Sequence, residues 1–260
     1  MKIPLFYVDA FTDKIFSGNP AAVCPLDNWI DDELMQNIAF EHNLSETAFF
    51  VPKGDATFEI RWFTPKMEID LAGHPTLATG YVIFNLLGYS ISKIKLLSKT
   101  GELFVTKRDG LITLNFPSRP PSSIGTPETL VQGLGQKPLA VYKARDYLAL
   151  YETEQDIIAL RPDFRVLSKL DCLGIIVTAP SLNADFVSRF FAPAAGIDED
   201  PVTGSSHTTL IPFWAERLSK KELHAFQLSQ RKGELFCRFL GDRVEIGGKA
   251  VLYMRGEIEI

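Results

Sequence analysis

Three short clusters carry side chains able to hold or move a proton: Asn43-Leu44-Ser45-Glu46, Asp70-Leu71-Ala72-Gly73-His74-Pro75 and Asp200-Pro201-Val202-Thr203-Gly204-Ser205. Glu46 stands beside Leu44, Phe49 and Phe50. A carboxyl screened by apolar groups has a raised pKa, so it can be protonated near neutrality and give that proton to carbon. His74 and Pro75 open a helix, whose first-turn N–H groups lack partners and attract an anion. His74 is either a helix cap or a direct substrate contact. Asp200 reads as a turn former before Pro201. Ser205 reads as an N-cap that can also donate to a ligand. Gly73 and Gly204 lack side chains, which lets a ligand approach the backbone.

These clusters are positioned by a pattern that occurs twice. Phe58, Ile60 and Trp62 alternate with Glu59 and Arg61, as in a strand with one apolar face. Pro65 ends the strand. Leu77, Tyr81 and Phe84 then form a helical stripe with almost no charge around it, so the helix is expected to be buried on all sides, with Gly88 as its stop. The run Arg61-Trp62-Phe63-Thr64-Pro65 returns as Arg189-Phe190-Phe191-Ala192-Pro193, and Gly73-His74 returns as Gly204-Ser205. The offset is 128 at the arginines and 131 at the glycines, about half of the 260 residues. A repeat this long is a domain duplication, not a solenoid.

Elsewhere, strands are expected at 3–11, 21–24, 47–51, 93–97, 103–107, 111–116, 139–143, 147–151, 173–178, 186–191, 235–240, 244–246 and 251–255, with helices at 31–41, 127–134 and 155–160. The second buried helix starts near Ser205 or Ser206, and Pro212 inside it should kink it. Pro117 to Ser123 is the best linker. Strands rarely alternate with helices, which disfavours a parallel doubly wound sheet. The expected fold is α+β: two pseudo-symmetric lobes, each a mostly antiparallel β-barrel around a central buried helix. The first lobe spans 1–117 and the second 124–245. The two helix mouths are expected to face one cleft suited to a small carboxylate.

Composition narrows the function. The net charge is −5 and no Lys/Arg stripe forms, so nucleic acid is not an expected partner. Three dispersed cysteines, Cys24, Cys172 and Cys237, suggest reduced thiols in a cytoplasmic protein. Neither a signal peptide nor a membrane span is expected: the most apolar segment, Leu77 to Leu87, is too short for one.

Four motifs together resemble a known family: Val8-Asp9-Ala10-Phe11 with Gly18-Asn19-Pro20-Ala21-Ala22-Val23, then Asn43 to Ala48, Asp70 to Thr76, and Asp200 to Ser205. In order and spacing the chain is similar to the PhzF-like phenazine-biosynthesis family from end to end. The resemblance implies the diaminopimelate-epimerase-like fold and an enzyme without metal or organic cofactor, often a homodimer. It also implies that 246–260 return to the first lobe. It places Glu46 on the glutamate that moves a proton between carbons, and His74 and Asp200 on the accompanying catalytic positions. Ser45, Asn19, Gly73, Gly204 and Ser205 are assigned to substrate binding. The related racemases carry one cysteine at each helix mouth. Here His74 and Ser205 occupy those places, which disfavours two-thiol racemisation.

Two rivals come from the same residues. His42 and Glu46 are four apart and His207 lies near Asp200, but neither HxH nor HExxH occurs, so no metal is expected. Ser205 or Ser206 with His207 and Asp200 invites a hydrolase reading, yet no Gly-x-Ser-x-Gly elbow is present. The expected activity is therefore a cofactor-independent isomerisation of a small carboxylate by general acid/base catalysis. A non-catalytic small-acid binding protein is the alternative.

Overall fold

Period-two burial turns most of the chain into strands that bury one face, and the two apolar helices supply something for that face to wrap. The computed structural model describes residues 1–260 as two compact units, Met1–Phe116 with Ile246–Ile260, and Pro117–Glu245.

In the first unit the chain runs β1 (Lys2–Ala10), β2 (Asn19–Pro25), α1 (Asp32–His42), β3 (Thr47–Gly54), β4 (Thr57–Phe63), β5 (Glu68–Ile69), α2 (Gly73–Asn85), β6 (Lys93–Ser98), β7 (Gly101–Arg108) and β8 (Leu111–Pro117). In the second it runs β9 (Ser122–Ile124), α3 (Glu128–Leu134), β10 (Ala140–Lys143), β11 (Tyr147–Leu150), α4 (Glu154–Ala159), α5 (Phe164–Leu167), β12 (Ile175–Pro180), β13 (Phe186–Phe191), α6 (His207–Leu218), β14 (Glu222–Gln227) and β15 (Gly233–Phe239). The chain leaves the second unit within β16 (Arg243–Gly248) and ends with β17 (Ala250–Glu259), which pairs antiparallel with β1.

Both units use one pairing scheme. In the first, β1–β2 is antiparallel, β2–β3 parallel, β3–β4 antiparallel, β4–β6 parallel and β6–β7 antiparallel. In the second, β10–β11, β11–β12, β12–β13, β13–β14 and β14–β15 follow the same alternation. The duplication extends to side chains. Arg61 on β4 forks onto Glu68 with two 2.8 Å contacts and lies 5.2 Å from the Phe63 ring. Arg189 on β13 forks onto Glu199 at 2.8 and 2.9 Å and lies 4.9 Å from the Phe191 ring. The fork gives each arginine a planar, charge-assisted pair while its face stacks on an aromatic.

Each sheet curls around its helix. α2 touches β1, β2, β3, β7 and β17, strands well separated in the pairing order. It buries every residue from Gly73 to Gly80 and then Val82, Ile83 and Phe84. Its threonines satisfy themselves in that dry setting: Thr76 Oγ1 donates to the Ala72 carbonyl and Thr79 Oγ1 to that of Pro75. A Cβ on Gly80 would sit 2.9 Å from Val105 Cγ1 and 3.2 Å from Ile112 Cγ2, so glycine sets how closely the sheet wraps. The helix ends at Asn85, short of Gly88, because the Leu86 and Leu87 amides both close on the Val82 carbonyl.

α6 is treated likewise. Phe213 packs edge-on against Tyr142 of β10, and Trp214 donates to Thr178 Oγ1 of β12 at 3.0 Å. Pro212 has no N–H to give the Thr208 carbonyl one turn back. The Arg119 amide fills that place at 2.9 Å, so the proline leaves no orphan acceptor.

Outside the barrels, α1 covers the outer face of β2 and β3 through Met35, Ile38 and Ala39. Asp31 caps it by accepting from the Glu33 and Leu34 amides, and Asn43 closes it with φ 51°. In the second unit α3, α4 and α5 bury Leu130, Leu134, Ile157, Leu160 and Leu167 against Val141, Ile175, Val177 and Phe191. The strand β14 and the short β5, β9 and α5 were not expected from sequence, and β9 takes the end of the expected linker.

Candidate active site

In the first unit, Asn19, Glu46 and His74 converge. Asn19 opens β2 and Glu46 immediately precedes β3; these strands are parallel neighbours, so their leading ends lie side by side. His74 is the second residue of α2. The turn before Asn19 depends on Gly18, which has φ +65° and a Cβ position only 2.2 Å from the Ala10 carbonyl oxygen. The loop bearing Ser45 and Glu46 is braced from behind: His42 Nδ1 meets Thr47 Oγ1 at 3.0 Å, and Tyr7 OH donates to the His42 carbonyl at 3.2 Å.

Asn19 Nδ2 lies 3.1 Å from His74 Nδ1, and His74 Nε2 lies 3.2 Å from Glu46 Oε2. The His74 side chain is 5% exposed and that of Glu46 14%. Burial pushes the His74 imidazole down to about 3, with only the Pro20 carbonyl opposing it, so the ring is neutral at physiological pH. A neutral ring carries one N–H. With the hydrogen on Nε2, Nδ1 accepts from Asn19 and the N–H faces a Glu46 carboxylate. With the hydrogen on Nδ1, directed at the Pro20 carbonyl, Nε2 offers a lone pair to a protonated Glu46. The Asn19–Pro20 step is therefore where the tautomer is set. His74 Nε2 makes no aligned hydrogen bond, so its 3.2 Å approach to Glu46 is close but loosely oriented.

The α2 mouth lies at this pair. Ala72 is its N-cap residue and no side chain caps it. The Gly73 and His74 amides therefore have no intrahelical partner. Asp70, by contrast, is exposed.

In the second unit, Asp200, Gly204 and Ser205 lie just ahead of α6. Asp200 Oδ2 accepts from Thr203 Oγ1, and its amide donates to the Phe190 carbonyl at 3.0 Å. Gln227, fully buried, ties this turn together: its Oε1 accepts from the Thr203 amide at 2.8 Å, and its Nε2 donates to the Asp200 carbonyl at 2.8 Å and to Thr203 Oγ1. Ser205 does not cap α6, contrary to expectation. The N-cap residue is Ser206, with φ −64° and ψ −29° and no side-chain cap bond. Its hydroxyl turns back to the Thr203 carbonyl. Ser205 Oγ instead accepts from Arg145 Nη2 at 3.3 Å. Gln227, Thr203 and Arg145 lie outside or between the conspicuous motif positions, and no spacing in the sequence links them.

The histidines behind both rival readings have other partners. His207 Nδ1 donates to the Thr203 carbonyl at 2.9 Å and contacts Ser206 Oγ, not Asp200, so no serine–histidine–aspartate relay forms. His42 is engaged with Thr47, and no group of three or more His, Cys, Asp or Glu side chains is placed to hold a metal ion. Cys24 and Cys237 are buried and burial pushes their thiols up; Cys172 is pushed up to about 11. None of the three is a thiolate near neutrality. No helix is long and apolar enough to cross a membrane.

Comparison with known proteins agrees with this architecture. The fold is that of PhzF proteins and of epimerases of the diaminopimelate and proline type. A phenazine biosynthesis protein of the PhzF family from Enterococcus faecalis matches with a TM-score of 0.97 at 44% identity, covering 100% of both chains. A phenazine biosynthesis PhzC/PhzF protein from Clostridium difficile matches at 0.93 and 48%, covering 99% of this chain and 100% of the other. A hydroxyproline epimerase from Agrobacterium vitis shares the fold at a TM-score of 0.64 and 10% identity, over 99% and 92% of the two chains. Two uncharacterized isomerases of Pseudomonas aeruginosa are 48% and 51% identical over 100% of each chain. The model for phenazine biosynthesis-like proteins matches residues 8–256, and the chain belongs to that family. These relatives support an isomerase-type function.

Proposed function

We propose that the protein is a cofactor-independent isomerase that moves a proton between carbons of a small carboxylate, with Glu46 as the carrier. The observation that carries this reading is the 3.2 Å pairing of a largely buried Glu46 with a neutral, Asn19-oriented His74 at an uncapped helix mouth.

The reaction needs one group that both takes and gives a proton. A carboxylate at position 46 accepts hydrogen from an acidic C–H bond, and the electron pair moves into the adjoining conjugated system. The same carboxyl then returns the proton to a second carbon, so substrate and product are isomers and no electrons leave the pair. The Gly73 and His74 amides suit a substrate carboxylate and the negative charge that grows on it. His74 orients the carboxyl and relays its proton with Asn19 fixing the ring. Ser45 is assigned to the substrate beside Glu46.

The test is a screen of small unsaturated carboxylic acids with the protein in deuterium oxide, read by mass and by NMR. Deuterium is expected to enter a carbon position with the wild type and not with Glu46→Gln. Exchange at the wild-type rate in that variant would remove Glu46 from the role.

A further inference from the structure

The three tryptophans use their indole N–H groups differently. Trp29 Nε1 donates to Glu59 Oε2 at 2.7 Å, and Trp214 Nε1 to Thr178 Oγ1 at 3.0 Å. Trp62 is 1% exposed, and its buried Nε1 meets no acceptor. An indole nitrogen can only donate. Keeping such a donor buried and unused is costly, and native proteins rarely do so without a reason.

The duplication shows that the fold does not impose this cost. Trp62 belongs to the repeated run Arg61-Trp62-Phe63, whose copy is Arg189-Phe190-Phe191. Phe190 fills the matching place on β13, is 5% exposed, and carries no side-chain N–H. A plain aromatic ring therefore satisfies the packing. The extra donor occurs only in the unit that carries Glu46 and His74.

Strand register gives the reason. Trp62 pairs with Ala48 of β3 on one side and with Ile69 of β5 on the other. Ala48 follows Glu46 by two residues, and the chain beyond Ile69 leads into Gly73 at the start of α2. Thr47 turns to His42 of α1, whereas Glu46 turns to His74 of α2. Side chains alternate along a strand, so Ala48, and Trp62 opposite it, share the face of Glu46. The indole is thus flanked by the segment that delivers the carboxyl and the segment that delivers the helix mouth.

We propose that Trp62 Nε1 is a substrate-binding donor that takes a carbonyl oxygen of the substrate. This rests on the proposed function, because the substrate is the acid whose proton Glu46 moves. The substrate carboxylate suits the α2 mouth. A second anion beside Glu46 would repel the charged form of that carboxyl, and an uncharged oxygen does not. A hydroxyl would bring a hydrogen needing its own acceptor in a dry site, whereas a carbonyl brings only lone pairs. The substrate class is a small oxo acid in preference to its deoxo counterpart.

The full-length protein, labelled with nitrogen-15, is titrated with 2-oxobutanoate and with butanoate, and its three indole N–H signals are followed by two-dimensional NMR. Trp29→Phe, Trp62→Phe and Trp214→Phe assign the signals, any two of them sufficing. The Trp62 signal is expected to move saturably with 2-oxobutanoate and to stay in place with butanoate. Trp62→Phe should weaken 2-oxobutanoate binding roughly five- to tenfold, the scale of one hydrogen bond, and leave butanoate binding unchanged. A Trp62 signal that does not move, one that moves equally with both acids, or equal 2-oxobutanoate affinity in wild type and variant would each overturn the contact. The two readings fail separately. 2-Oxobutanoate held by Trp62 in a protein that exchanges deuterium into no acid removes the isomerase and keeps the donor. Exchange into an oxo acid whose KM is untouched by Trp62→Phe removes the donor and keeps the isomerase.

Discussion

His74 Nε2 stands 3.2 Å from Glu46 Oε2, and on the other edge of the ring Nδ1 stands 3.1 Å from Asn19 Nδ2. The three side chains come from β2, the loop before β3 and the first turn of α2.

Replacing Glu46 by glutamine keeps the volume and removes the transferable proton. Carbon-bound exchange should fall by about 100-fold or more, the usual contribution of a positioned acid/base. Far-ultraviolet circular dichroism and melting temperature should stay close to wild type. A matching loss in Asn19→Leu, with a displaced pH–rate profile, would place the tautomer-setting role on Asn19.

Acid should unfold the protein earlier than carboxylate titration alone requires. Burial holds His74 near 3 and His207 near 4, against 6.5 for a free imidazole. Between those values the unfolded chain binds protons that the folded chain does not, so stability rises with pH there. It is fully present above about 6.5 and lost as the pH falls toward 3. Each histidine steepens the loss by about 1.4 kcal/mol per pH unit within its window. Urea midpoints between pH 7 and 4 measure this slope, and His207→Gln should flatten it.

Gln227→Met removes one side chain that serves the Thr203 amide, the Thr203 hydroxyl and the Asp200 carbonyl. The Thr203 hydroxyl keeps Asp200 Oδ2, whereas the Thr203 amide and the Asp200 carbonyl lose the bond made by Gln227 in a dry site, a cost of about 2–4 kcal/mol. Chemical denaturation should register it, and any substrate affinity that depends on Asp200 should weaken alongside.

The paired arginines offer an internal comparison. Arg61→Met strands a Glu68 whose side chain is 17% exposed and which also has Lys99 beside it. Arg189→Met strands Glu199 and additionally frees the Ile157 and Leu160 carbonyls. Losses of roughly 1–2 and 3–4 kcal/mol are expected, in that order. Equal losses in denaturant titrations would mean that the two carbonyl bonds contribute nothing.

Much of this was legible from residue order because the local signals agree with the tertiary demand. Asp31 and Asn43 bracket α1 as acid start and left-handed stop, and the lack of charge from Gly73 to Phe84 marks a helix wrapped on all sides. The repeat of Arg61 to Pro65 at Arg189 to Pro193 is visible as letters and recurs as geometry. What stayed hidden depends on partners distant in sequence. β14 presents Leu223, Ala225 and Gln227 inward, and a small residue and an amide blur the alternation; parallel pairing with β13 supplies what pattern does not. Gln227 and Arg145 matter through Thr203 and Ser205, 24 and 60 residues away. Ser205 reads as a cap because serine before an apolar run usually is one, but the following Ser206 takes that place and leaves Ser205 facing a guanidinium.

Arg119 lends its amide to the carbonyl that Pro212 abandons. That single stitch dictates where the second half of the molecule can be cut. A fragment begun at residue 124, the obvious choice after a proline-rich stretch, would leave a bare acceptor inside its central rod; one begun a few residues upstream of 118 would carry its own repair.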